Sequence, residues 1–147
     1  SHVLLHVDVP VELPRINCRS EQLQQVLMSL IINSLHALDE RYPKAHADKK
    51  MWISAGKMES AGRPYVRLTV EDHGAGIAQA NMDRLFDPFF TTKGRDVGTG
   101  LGLSVSDGIV KDHGGQIWAE SEHGAFARFH VDLPLDLEWP SRAPIHE

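Results

Sequence analysis

The stretch GTGLGLSVSDGIVKDHGG, Gly98 to Gly115, governs how the rest of the chain is read. Gly98, Gly100 and Gly102 alternate with Thr99 and Leu101, and Leu101, Val105 and Ile109 then recur at i, i+4 and i+8, the spacing of a helix. Glycine loses entropy wherever it is fixed, so a cluster at the mouth of a helix implies close approach to the main chain. The first turn of a helix presents unpaired N–H groups and the positive end of its dipole, which together suit phosphate. The spacing G-x-G-x-G is neither the dinucleotide fingerprint nor the Walker loop, and a flexible loop before a core helix would use the same glycines. The remaining residues must separate these readings.

Composition sets the frame. The 147 residues are 41% hydrophobic and 24% charged, as expected of one α/β-sized globular domain with a core of its own. A net charge of −5 disfavours a nucleic-acid partner bound by phosphate neutralisation. Cys18 is the single cysteine, so no disulfide closes within the chain, which fits a reducing compartment. No apolar run approaches the roughly 18 to 20 residues of a membrane span and no signal peptide is legible. A soluble, cytoplasmic domain is expected, whether or not its parent protein is anchored to a membrane.

Upstream, HVLLHVDVPVEL alternates as strand and is broken by Pro10 and Pro14. Ser20 reads as an N-cap with Glu21 in the first turn of a long helix, EQLQQVLMSLIINSLHALDE. Leu23, Val26, Leu27, Leu30, Ile31, Ser34, Leu35 and Leu38 share its broad apolar face. Gln22, Ser29, Asn33 and His36 line the edge of that face. RYPKAHADKK reads as a polar loop, MWISAGKME and RPYVRLTVED as strands joined around Gly62, and QANMDRL as a short helix. GGQIWAESE and AFARFHVDLP follow the glycine-led helix as two more strands. The expected order is two strands, helix, two strands, short helix, loop, helix, two strands. This makes a two-layer α/β sandwich, a mixed sheet with about three helices on one face. Residues 1–134 form the domain and 135–147 a Pro-containing tail.

Four separated features now stand in order: Asn33 on the long helix, Asp72-x-Gly74-x-Gly76 after a strand, DPFFTTK at Asp87 to Lys93, and Gly98-x-Gly100-x-Gly102 before a helix. Their order and spacing resemble the N, G1, F and G2 boxes of the histidine-kinase ATP-binding domain, within the fold family that includes type II topoisomerase, Hsp90 and MutL ATPase domains. The resemblance covers roughly Val3 to Pro134. It implies ATP and Mg²⁺ as ligands, with the site built from Asn33, His36, Asp72, Gly74, Gly76, Ile77, Phe89, Phe90, Thr91, Thr92, Lys93, Gly98, Thr99, Gly100, Leu101, Gly102 and Leu103.

Each box also has a chemical reading. Adenine offers an amine donor where guanine offers an acceptor, so a buried acceptor-only carboxylate at Asp72 distinguishes them; alone, Asp72 would read as an Asx-turn residue ending a strand. Mg²⁺ bound to phosphate takes only one or two protein oxygens, which the Asn33 carbonyl can supply; a hydrogen-bonded boundary asparagine is the bland alternative. In the resembled family the matching asparagine coordinates Mg²⁺, and a side chain at the place of His36 often reaches phosphate. Phe89 and Phe90 read as an apolar hinge for a short lid, Thr91 to Val97, with Lys93 and Arg95 meeting phosphate as cations; a loop packed by two aromatics with solvated charges, Arg95 above all, is the bland alternative.

Two positions depart from the family. Ser29 stands where an asparagine, or the glutamate base of topoisomerase-like members, is usual, and serine cannot act as that base. Ala127 stands where a threonine that helps hold adenine through water is usual. No histidine is directly followed by an acidic residue and, a few positions on, by a proline, the setting of a kinase's own acceptor; His146-Glu147 is the nearest echo. The resemblance therefore implies the catalytic domain of a sensor histidine kinase, transferring the γ-phosphoryl group to a histidine of a separate dimerisation domain and thence to a response-regulator receiver domain. A homodimeric parent and a monomeric isolated domain are expected. A non-catalytic nucleotide-binding module is the alternative, and a topoisomerase- or chaperone-type ATPase is disfavoured by Ser29.

Overall fold

Period-two alternation of apolar side chains in Arg63–Asp72 and Phe126–Pro134 builds the centre of a five-stranded sheet. The computed structural model describes residues 2–90 and 102–135. Along the chain the elements are β1 (Leu4–Asp8), α1 (Ser20–Arg41), β2 (Lys50–Ser60), β3 (Arg63–Asp72), a 3₁₀ helix (Gln79–Arg84), α2 (Gly102–Asp112), β4 (Gln116–Glu122) and β5 (Phe126–Pro134). The sheet order is β1-β2-β3-β5-β4, with β1 parallel to β2 and every other pair antiparallel. The mixed α/β sandwich expected from the sequence is therefore the observed fold.

Register decides which side chains meet the helices. Met51, Asp72 and Ala127 are cross-strand neighbours on β2, β3 and β5, and the positions alternating with them along these strands face the same way. Val70, Phe129 and Val131 on this face pack with Val26, Leu30 and Leu38 of α1 and with Ile109 and Val110 of α2. Leu23, Leu27, Ile31 and Leu35 close the margin of that core, so the apolar stripe assigned to α1 is the buried one.

The chain differs from expectation at three places. A single strand precedes α1: after Asp8 the chain turns at Val11 and Glu12, with the Leu13 N–H donating to the Pro10 carbonyl at 3.3 Å. Pro10 brings no N–H to a ladder, and so Val9–Leu13 does not continue the sheet. The N-cap of α1 is Arg19 and Ser20 is its first helical residue; the cap residue's own side chain makes no capping hydrogen bond. Instead His113, just past α2, accepts the Arg19 N–H on Nε2 at 3.1 Å while its Nδ1 lies 2.8 Å from the Ile109 carbonyl. That pairing fixes the tautomer with hydrogen on Nδ1, and a tertiary contact does what a capping-box carboxylate does locally. Finally, α1 and β2 each run one residue into the segment read as loop, taking in Arg41 and Lys50.

Candidate functional site

Three residues of α1 spaced by four build the spine of the site. Ser29, Asn33 and Ala37 stand one above another on the helix, with about 6 Å of rise between successive members. At one end, Gly102 opens α2 so close to α1 that a Cβ there would lie 2.8 Å from Ser29 Oγ. At the other, a Cβ on Gly74 would lie 2.5 Å from the Ala37 carbonyl carbon and 2.7 Å from the Leu38 nitrogen. Glycine at 74 is thus required by backbone contact, and the Ala75 N–H donates to the Ala37 carbonyl at 3.0 Å. Asn33, partly buried, sits midway between the two glycine motifs, and His36 lies partly buried on the same helix edge.

Asp72 ends β3 fully buried, and its Oδ1 accepts the Gly74 N–H at 2.9 Å. This is the Asx geometry read from the sequence, here placed inside the fold beside α1. Gly76 has φ +71°, and a Cβ on it would run into the Glu122 carbonyl, so only glycine lets this loop pass under the β4–β5 turn. The Ile77 N–H donates to Ser121 Oγ at 2.7 Å, while Ser121 donates onward to the Phe126 carbonyl at 2.7 Å. Across the ladder from Asp72 lies Ala127, 2% exposed, so no hydroxyl is offered at that position.

The Phe89-Phe90 pair divides its work. Phe90 packs against the core with the Arg84 guanidinium 4.5 Å from its ring centroid. Phe89 is 72% exposed and holds φ 67°, a left-handed conformation uncommon for an aromatic residue. The apolar anchor expected of both is therefore carried by Phe90; a ring in that conformation is turned away from the core that its neighbour meets. Gly102 and Leu103 belong to the first turn of α2, and Leu103 packs on the core. Thr91, Thr92, Lys93, Arg95, Gly98, Thr99, Gly100 and Leu101 lie outside the described residues.

Sequence reading passed over Arg41, Ser121 and Gly124. Arg41, the last residue of α1, continues the row Ser29, Asn33, Ala37 by another four positions, and its Nη1 reaches the carbonyls of His73 at 3.1 Å, Gly74 at 3.4 Å and Ala125 at 2.9 Å. Gly124, at φ +87°, donates its N–H to the Ala75 carbonyl. The spacing of Arg41 was a legible signal; the contacts of Ser121 and Gly124 depend on a turn that comes back from 44 residues or more away.

The donor set fits a Mg²⁺-bound nucleotide. A buried carboxylate beside loop glycines suits a base that offers an amine, and a single amide oxygen on a rigid helix suits a metal already carried by phosphate. Three of the four sequence boxes are thereby brought to one edge of α1 by described residues: Asn33 itself, Gly74 against Ala37, and Gly102 against Ser29.

Residues 18–137 match the family model described as histidine kinase-, DNA gyrase B-, and HSP90-like ATPase. The chain is 32% identical over 135 residues to sporulation kinase E of Bacillus subtilis (strain 168), covering 92% of this chain and 17% of that protein. It is 37% identical over 125 residues to the sensor histidine kinase ZraS of Escherichia coli (strain K12), covering 85% of this chain and 24% of that protein. The chain thus spans less than a quarter of the length of these curated relatives. Among solved structures, the nucleotide-free catalytic domain of the histidine kinase ThkA superposes with a TM-score of 0.71 at 29% identity, over 90% of this chain and 79% of that one. The chain belongs to the histidine kinase-, DNA gyrase B- and HSP90-like ATPase family, as a sensor histidine kinase ATP-binding catalytic domain.

Proposed function

We propose that this domain binds Mg·ATP and donates the γ-phosphoryl group to a histidine on the dimerisation domain of its parent kinase, from which a response-regulator receiver aspartate takes it. The observation that supports this most is the row Ser29, Asn33, Ala37, which sets an amide oxygen between the loop of Asp72 and the start of α2. In this reading Asp72 accepts the adenine amine, and Gly74, Gly76 and Ile77 shape the floor under the base. Asn33 holds Mg²⁺, which when bound supplies charge neutralisation to the transferring phosphoryl group. His36, Thr91, Thr92 and Lys93 meet the phosphates. Gly98, Thr99, Gly100, Leu101, Gly102 and Leu103 offer backbone N–H groups there, and Phe89 and Phe90 flank the lid. The domain's contribution is to position and screen charge; the nucleophile comes from the acceptor domain.

The parent kinase is a homodimer and the isolated domain a monomer in this proposal. Among the described residues no helix is long and apolar enough to cross a membrane. A second reading, a nucleotide-binding module without transfer activity, is favoured by Ser29 and by Ala127 opposite Asp72. Two measurements separate them: titration with a fluorescent ATP analogue in Mg²⁺ and in EDTA, and transfer of labelled phosphate to an added dimerisation domain. Binding with transfer supports the kinase; Mg²⁺-dependent binding without transfer supports the module; absence of binding overturns both.

A further inference from the structure

We infer that Arg41 is a positioning residue for adenine recognition: it fixes the loop of Asp72 to the end of α1 and so sets where that carboxylate meets the base. The inference rests on the proposed nucleotide site and names a residue outside the four sequence boxes. Three segments meet at the guanidinium. The His73 and Gly74 carbonyls come from the loop immediately after Asp72, and the Ala125 carbonyl from the β4–β5 turn. Nη1 has two hydrogens for three acceptors, so the contacts at 2.9 and 3.1 Å are the principal ones and the 3.4 Å contact to Gly74 is a weaker branch.

The same junction is tied by main chain alone at Ala75, which donates to the Ala37 carbonyl and accepts from Gly124. These bonds hold the loop at its middle. Arg41 holds the two carbonyls between that point and Asp72, the part whose conformation places Oδ1 and Oδ2. The two nearest acceptors lie on separate segments and both meet the single nitrogen Nη1, so one permanently charged group ties the loop to the β4–β5 turn. Its location is favourable for a second reason: a cation in the last turn of a helix complements the carbonyl end of the dipole. The guanidinium also lies 5.0 Å from the Tyr42 ring centroid, which limits its freedom to leave.

The consequence is specific. Arg41 touches the loop of the base and is two helical turns from Asn33, so its loss should act on adenine binding and spare the metal-dependent part of affinity. Arg41→Ala should weaken ADP binding by roughly tenfold, equally in Mg²⁺ and in EDTA, with faster amide exchange at 73–77 and 123–125 in the nucleotide-free chain, and Arg41→Lys, which keeps a cationic donor, should recover part of both. In an Asp72→Ala background Arg41→Ala should cost less than threefold more, because a residue that acts through Asp72 has nothing further to remove. A merely structural role would give additive losses and a melting temperature lowered in step with affinity.

Wild-type affinity for ADP from Arg41→Ala overturns the inference, as does a full tenfold loss in the Asp72→Ala background. If the wild-type chain takes up no adenine nucleotide, the proposed function fails by itself. The exchange comparison then still decides the structural half: unchanged exchange at 73–77 in Arg41→Ala shows that the guanidinium does not set the loop.

Discussion

Glu71 and Asp72 are adjacent in sequence and close the same strand, yet the pleat turns them to opposite faces of the sheet and into opposite surroundings. Glu71 faces outward, where Arg128 Nε donates to Oε1 at 2.8 Å and His73 Nε2 lies 3.1 Å from Oε2. Its cross-strand neighbour is that same Arg128, whereas the neighbour of Asp72 is Ala127. Burial works to raise the Glu71 carboxyl, but the hydrogen bonds and charges of Arg128 and His73 outweigh it and hold the group below the ordinary glutamate value. The ladder continues outward: Glu120 Oε1 receives Arg128 Nη1 at 3.2 Å and His130 Nε2 at 2.8 Å, and Arg67 clasps Asp132 at 2.8 and 3.1 Å beneath Trp118. Asp72 instead is sealed under α1 with a backbone N–H from its own glycine loop. Cations beside a carboxylate mark a group that serves the sheet. In the proposed function, the carboxylate buried beside glycines that admit a helix is the one that serves a ligand.

The sharpest way to break that contrast is to push the inner loop off the helix. Gly74→Ala places a methyl group 2.5 to 2.7 Å from Ala37 and Leu38 main-chain atoms, which cannot rotate aside. It should cost about 3 kcal/mol in urea unfolding, at the upper end for overpacking, and abolish measurable nucleotide binding. A loss below about 1 kcal/mol would show that the loop yields easily and that the glycine is not demanded by contact.

Next come the two carboxylates themselves. Asp72→Ala should lower ATP and ADP affinity by about 10- to 100-fold, the equivalent of one charge-assisted hydrogen bond of about 1.5 to 3 kcal/mol. Asp72→Asn can keep the Gly74 contact while offering an amide donor on the other side, and should erase the preference of ATP over GTP. Glu71→Gln should leave nucleotide affinity within about twofold, because the loss falls on the outer ladder. Competition titrations with ATP and GTP test all three, and equal discrimination by wild type and Asp72→Asn would remove Asp72 from base recognition.

How much of this was legible depends on how far apart the cooperating residues are. The stripe of α1 and the alternation of β3 and β5 repeat within a few residues, so local periodicity exposes them, whereas the four boxes are legible through their resemblance to the histidine-kinase ATP-binding domain. The division between Phe89 and Phe90 was not legible, because both are apolar neighbours and a backbone angle separates them. The outer ladder was equally hidden: Arg128 and Glu71 are 57 residues apart, and register alone brings them together. Arg41 lay one residue inside a helix whose end was drawn before it. The cap of α1 was misassigned to Ser20 for the same reason, since His113 reaches it from 94 residues away.

The smallest expected effect tests the outer face alone. Glu71 and Glu120 are both held below the ordinary glutamate value, Glu120 first through its hydrogen bond to His130 and, against the opposing pull of burial, through Arg128. A carboxyl whose folded-state value is depressed adds stability above its unfolded value, about 4.3, and loses it as pH falls through the lower folded value. Arg128→Met removes the cation and keeps most of the stem. At neutral pH it should destabilise by no more than about 1 kcal/mol, since these pairs are partly exposed and screened by salt. Thermal unfolding of wild type and variant should therefore differ at pH 7, then converge as pH drops below about 4, while ADP affinity at pH 7 stays unchanged. A gap that persists at low pH would assign the effect to packing, for which the 4.7 Å approach of the guanidinium to the Phe126 ring is the available contact. A change in ADP affinity would be more serious, for it would mean that the two faces communicate through β5 and that Glu71 and Asp72 cannot be assigned separate duties.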